Sequence, residues 1–188
     1  AKEHVFLSPD RPSMIAETGA VNDCHSGPFR YYVNDHRGIL LVDAVYTPFF
    51  CGFCGTGNLW HWDEGYLEAK NLYRLNAPLS RLIASVDFQS EHFCARDYST
   101  KELSILLLEG NHTVLGFFRN RRDNWENVLR DLNSPPVLKT FSMPLPKAHS
   151  LHIEPIFDGE TVKAVLSDGI FSFSDLRYGF LFSAQINP

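Results

Sequence analysis

Apolar positions in the first ninety residues fall into short blocks separated by polar loops. Met14-Ile15-Ala16, bounded by Pro12 and Gly19, is an unbroken apolar run that ends in Glu17, and it predicts a short buried parallel strand over 12–17. Ile39 to Phe50 is almost continuously apolar around Asp43 and predicts a buried helix interrupted towards its end by Pro48. Gly55-Thr56-Gly57 leads into Asn58-Leu59-Trp60-His61-Trp62-Asp63, a second strand that ends in polar and aromatic groups. Leu67, Leu72, Leu75, Leu79, Leu82, Ile83 and Val86 recur at spacings of three and four, predicting an amphipathic helix over 66–86 with a kink at Pro78. The order strand, loop, helix, strand, loop, helix implies a parallel sheet.

Past residue 90 the chain reads as all-β. Strands are predicted at 92–98, 103–109, 113–119, 137–142, 149–156, 161–167, 170–173 and 177–185, with hairpin chemistry at Asp158-Gly159 and Asp168-Gly169. Short strands at that spacing predict an antiparallel β-sandwich. The fold class is therefore α/β plus all-β, divided near Asp87-Phe88-Gln89 into residues 1–90 and 91–188. Two β/α units cannot close a barrel or a doubly wound sheet, because strand edges and helix faces stay uncovered. The opening ninety residues thus read as the last two β/α units of an incomplete barrel. A preceding barrel segment or a complementary chain is the partner they require.

Composition removes several functions. The chain has a net charge of −5 and no basic footprint, which argues against a nucleic-acid partner. It has no apolar run of about 18 residues, so no membrane span is predicted and the protein reads as soluble. Aromatic residues make up 13% of the chain, and their faces suit sugar rings as well as a β-sandwich core. Of Cys24, Cys51, Cys54 and Cys94, the second and third form a CxxC pattern, but no second such pair follows and Phe49, Phe50 and Phe53 surround it. Buried packing thiols fit that setting better than a redox or zinc site. His25, His36 and His61 are too scattered for a metal-ligand spacing. No nucleophile elbow or glycine-rich phosphate loop is present, so neither a metal nor a cofactor is predicted.

The candidate chemistry lies at the ends of the two predicted strands. Glu17 is the first candidate for a catalytic group, since a carboxylate is costly to bury unless it is paired or used. Strand-ending acids also serve as helix caps and salt-bridge partners. On a strand, Trp60 and Trp62 share one face while His61 and Asp63 share the other. Trp62, nearer the strand end, is the better platform for a pyranose ring; Trp60 reads equally as core or site. His61 and Asp63 are placed to hydrogen-bond sugar hydroxyls or each other. The loop after Glu17 holds Asn22, Asp23, His25 and Arg30. There His25 either orients the Glu17 carboxylate or binds substrate, or is an ordinary exposed loop histidine. Asp43, on a buried helix facing the Trp60–Asp63 strand, either organises the site or, the better reading, makes a structural hydrogen bond.

Ala16-Glu17-Thr18-Gly19-Ala20-Val21, His25-Ser26-Gly27-Pro28, Tyr46-Thr47-Pro48-Phe49-Phe50, Gly55-Thr56-Gly57, Trp60-His61-Trp62-Asp63 and Asn71-Leu72-Tyr73 occur in that order. Together they resemble the C-terminal part of bacterial (β/α)8-barrel retaining glycoside hydrolases of the cellulase/mannanase-like clan, in which a β-sandwich follows the eighth helix. The resemblance implies that Glu17 is the nucleophile at the end of the seventh strand. It also implies that Trp62, or Trp60, floors the subsite of the reacting sugar, and that residues 39–52 and 71–86 are the last two helices. A bacterial cytoplasmic or secreted setting and a carbohydrate substrate follow from the same likeness.

Retaining hydrolysis needs two carboxyl groups about 5–5.5 Å apart, one attacking the anomeric carbon and one shuttling a proton. The resemblance puts the general acid/base on a strand absent from this sequence, so the isolated chain is expected to hydrolyse nothing. Asp63 reads as a hydrogen-bonding neighbour rather than that second carboxylate. The alternative function is a non-catalytic carbohydrate-binding or structural β-sandwich module docking to a partner barrel.

Overall fold

The computed structural model describes residues 11–19, 22, 24, 27–60 and 65–187. Its dominant elements are eight strands: β1 (Cys94–Asp97), β2 (Leu103–Glu109), β3 (Thr113–Asn120), β4 (Leu138–Pro144), β5 (Ala148–Pro155), β6 (Lys163–Ser167), β7 (Ile170–Leu176) and β8 (Gly179–Ile186). They form a five-stranded sheet of order β1-β2-β3-β8-β5 and a three-stranded sheet of order β4-β7-β6. Every strand pairing is antiparallel. Three α-helices, α1 (Ile39–Phe50), α2 (Tyr66–Ala69) and α3 (Ala77–Ile83), and short 3-10 turns at Arg30–Asn34 and Leu72–Asn76 precede the strands.

The α/β barrel expectation is therefore corrected: the chain is mostly antiparallel β with a few short helices. Among the described residues the only parallel contact is an isolated bridge between Thr18 and Leu59. The predicted strand over 12–17 fails because its apolar run is not covered; Met14 is 65% exposed, and Ala16 and Glu17 are exposed too. The predicted helix over 66–86 breaks into α2, a 3-10 turn and α3, because Asn71 takes a left-handed φ of 51° between them. Pro78 does not kink a helix but sits in the first turn of α3, where its missing N–H is no loss.

Strand β3 runs through the centre and is buried along its whole length. Its alternate residues serve two cores. Leu115 and Phe117 face the helices, while Val114 and Phe118 face the smaller sheet. Between the sheets, phenylalanines fill the space: Phe118 stacks on Phe180 at 5.0 Å and Phe171 on Phe182 at 5.1 Å. Gly116 lies opposite Phe182 in register, and a Cβ there would come within 1.9 Å of that ring, so the ring crosses directly over the glycine. Asp168 and Gly169 both take positive φ and close the two-residue β6–β7 hairpin. The Asp158-Gly159 turn makes no hairpin; it carries the chain from β5 in one sheet to β6 in the other.

Helix α1 packs its aromatic side chains on the outer face of the large sheet, with Tyr46 and Phe50 5.5 and 5.7 Å from Phe117. Gly38, at φ 82°, precedes it, and the wholly buried Asp35 caps it from a distance. One carboxylate oxygen of Asp35 accepts the N–H groups of Gly38 and Ile39 at 2.8 and 2.9 Å, and the other accepts that of Leu40 at 3.1 Å. These are the donors a helix start leaves unsatisfied. Pro48, in the last turn, has no N–H to give to the Ala44 carbonyl; Gly57 gives its own at 3.1 Å instead. A Cβ on Gly57 would lie 2.7 Å from that carbonyl oxygen, so only glycine fits the approach. Among the described residues no helix is long and apolar enough to cross a membrane.

Candidate functional site

The anchored segment that follows Gly57 holds the Glu17 segment in place. Thr18 donates its N–H to the Asn58 carbonyl at 2.7 Å, and Trp60 donates its N–H to the Thr18 carbonyl at 2.8 Å. The Thr18 hydroxyl donates to the same Asn58 carbonyl at 3.2 Å. Further back, Cys54 donates its N–H to the Ser13 carbonyl at 2.9 Å. This short parallel contact sorts side chains by alternation. The bridged residues Thr18 and Leu59 face a cavity of about 380 Å³, together with Gly19, Phe29, Leu40, Asp43, Ala44 and Trp125. Glu17 and Asn58 face the other way, into a cleft of about 290 Å³ shared with Ala16, Leu67 and Tyr73.

Glu17 is exposed at the cleft and makes no ion pair or hydrogen bond among the described residues. Arg30, a possible counter-ion in its loop, lies over the Tyr31 ring at 5.0 Å. Tyr73, 49% exposed, gives the cleft an aromatic wall, and Trp60 is 50% exposed beside the bridge. No second carboxylate lines this cleft among the described residues. Trp62, His61, Asp63 and His25 lie outside the described residues. Of the cysteines, Cys51 is buried as a packing thiol, whereas Cys24, Cys54 and Cys94 are exposed; among the described residues none is joined in a disulfide. Among the described residues no group of three metal-ligating side chains comes together.

Behind the bridge the structure assembles charges that the sequence pattern did not single out together. Arg119 projects from β3 towards α1 in line with Leu115 and Phe117, and it is only 5% exposed. Its Nε and Nη2 donate to the Asp123 carbonyl at 3.2 and 2.6 Å, and Nη2 also reaches the Ile39 carbonyl at 3.4 Å. Nη1 lies 2.9 Å from Asp43 Oδ1. That contact satisfies charge but not direction, for Nη1 makes no hydrogen bond of acceptable angle. Protein atoms packed around Asp43, whose side chain still keeps 49% of its surface open, raise its carboxyl above the ordinary value; Arg119 pulls it down, and Asp123 and Asp35 push it further up. Arg37 completes the group, donating from Nη2 to Asp123 Oδ1 at 2.5 Å and from Nη1 to Oδ2 at 3.4 Å. Its guanidinium sits 3.9 Å from the Tyr178 ring centre and 4.9 Å from that of Phe157. An arginine at an apolar strand position was the one local sign of this network.

No protein-family model matches the chain, and no curated protein matches it.

Proposed function

We propose that the chain handles β-linked glycosides, with Glu17 as the nucleophile of a retaining hydrolase whose acid/base is supplied from outside the described residues. The observation that carries this reading is a carboxylate, without a partner among the described residues, facing a cleft walled by Tyr73 on a segment tied by backbone bonds to Trp60. Asn58 beside it offers an amide for a sugar hydroxyl. The alternative is a module that binds carbohydrate without cleaving it, since cleavage needs a second carboxyl group about 5–5.5 Å from Glu17.

An activated substrate separates the two. With 2,4-dinitrophenyl 2-deoxy-2-fluoro-β-glycosides the leaving phenolate needs no proton. A Glu17 oxygen attacks the anomeric carbon, the bond to the phenolate breaks with its electron pair, and a glycosyl ester remains. The gluco and manno compounds are expected to add one fluoroglycosyl group to the intact chain, located on Glu17 by peptide mass spectrometry and absent from Glu17→Gln. A chain that binds the parent glycosides but is never labelled is a binding module, and the nucleophile reading falls.

A further inference from the structure

We propose that the cavity at the open end of the β-sandwich is a ligand site for an uncharged alcohol with an alkyl body, its hydroxyl donating to Glu109. This does not rest on the Glu17 reading, because every residue that lines the cavity lies between Tyr98 and Ile186.

At about 640 Å³ the cavity is larger than either recess beside the Thr18–Leu59 bridge and falls within the range of small-molecule sites. Its floor is the inner face of the larger sheet, where Leu107 and Val114 are almost wholly buried in the core between the sheets. Its roof is Phe141 and Met143 of β4, continued by Leu145. The edge strand β1 is exposed along its length, and Tyr98 just beyond it, 47% exposed, stands at the mouth. Apolar recesses of this kind stay dry and take apolar ligands. Pro144 and Pro146 on the β4 side have no N–H to offer, so an extended peptide cannot add to that edge as a further strand.

The polar groups at the mouth select the other end of the ligand. Glu109 lies directly across from Val114 in register and so turns to the same side, into the cavity. Its Oε1 accepts the Tyr98 hydroxyl at 2.9 Å, and with that proton given away the Tyr98 oxygen can only accept. Oε2 has the more distant Arg96 Nε at 3.5 Å. A carboxylate offers about four acceptor positions, so Glu109 has room for another donor. The backbone N–H groups of Gly110, Leu145 and Ile186 are spent on the carbonyls of Thr113, Gly169 and His112. The polar side chains of the lining are therefore acceptors, and the ligand must bring the donor. Charge fixes which donor. An anion would meet Glu109 with no cation among the lining residues. An ammonium group would be set against the Arg96 guanidinium, which already offsets the Glu109 charge. A hydroxyl donates without adding charge, and an alkyl chain fills the apolar space behind it.

The test uses N-phenyl-1-naphthylamine, an uncharged dye whose emission rises in apolar surroundings, with 1-octanol, methyl octanoate, octanoate and octylammonium as competitors at neutral pH. Saturable dye binding is expected, displaced by 1-octanol at about a tenth of the concentration that the other three require, as one hydrogen bond to a charged group implies. Glu109→Leu is expected to leave dye binding in place and to bring 1-octanol down to the level of methyl octanoate, a change that a merely structural role of Glu109 does not produce. Met143→Trp, which fills the cavity, is expected to abolish dye binding. Should that chain not fold, Ile186→Phe fills the same space from the end of β8. No saturable dye binding, unchanged binding in the filled variants, or an ester or charged competitor that matches the alcohol overturns the proposal.

Discussion

Gly57 gives its backbone N–H to the carbonyl of Ala44, 3.1 Å away on helix α1. The bond exists because Pro48, four residues along the helix, has no N–H to offer that oxygen. A proline that reads as an interruption of the helix thus becomes the anchor for the segment bearing Asn58, Leu59 and Trp60. Through that segment it also fixes Thr18 and its neighbour Glu17.

Gly57→Ala is expected to force this anchor apart, since its Cβ would press on a backbone oxygen that cannot swing away. The cost is about 1–3 kcal/mol in urea unfolding, as for other overpacked sites. Labelling of Glu17 by the fluoroglycosides should fall with it, because the carboxylate loses its fixed place. A variant as stable and as readily labelled as the parent chain would show that the Ala44 bond does not hold the cleft.

Asp35 presents a second expectation. It serves three N–H groups at the start of α1 and also accepts from the hydroxyl of Tyr66, whose ring stacks on Tyr32 at 4.1 Å. Burial, then the charge of Asp35, pushes the Tyr32 hydroxyl up to about 12. Asp35→Ala strands several buried donors at once and is expected to cost about 3–5 kcal/mol. Tyr66→Phe removes one bond and should cost about 1 kcal/mol. Chemical denaturation of both variants checks the ordering; an equal effect of the two would refute the capping role.

What could be read from the chain follows the range of the forces involved. Strand β3 and helix α1 are marked by their own residues, since a run such as Thr113 to Asn120 or Ile39 to Phe50 is apolar enough to be buried wherever it goes. The Asp168-Gly169 turn is equally local, as both residues tolerate positive φ. The strand over 12–17 looked similar but depends on neighbours to cover it, and without cover Met14 stays exposed. The long helix failed at Asn71, whose left-handed φ breaks the backbone while leaving the leucine spacing untouched. Glu17 stood out as an acid ending an apolar run, but it lies exposed at a cleft on a segment that is not a buried strand. Asp35 with Tyr66, and Asp43 with Arg119, could not be paired from sequence, because each partner comes from a distant element and only the packing of α1 brings them together.

Glu160 supplies the pH dependence. Burial raises its carboxyl from the ordinary 4.5 to about 7; Arg37 and Arg177 act against the shift and Asp123 with it. The folded chain therefore holds this proton more tightly than the unfolded chain, and ionisation of Glu160 opposes folding. The penalty is absent below pH 4.5, grows between 4.5 and about 7, and is complete above that. Glu160→Gln, neutral at every pH, should match the parent in Tm at about pH 4 and exceed it at about pH 8. Because the group is only partly buried, solvent screening reduces the gain to about 1 kcal/mol, or about 2–4 °C for a chain of this size. Calorimetry of the two chains across that range decides the matter. A constant difference in Tm at all pH values would mean that Glu160 ionises equally in the folded and unfolded chain, and that the field of Arg37 and Arg177 offsets its burial completely.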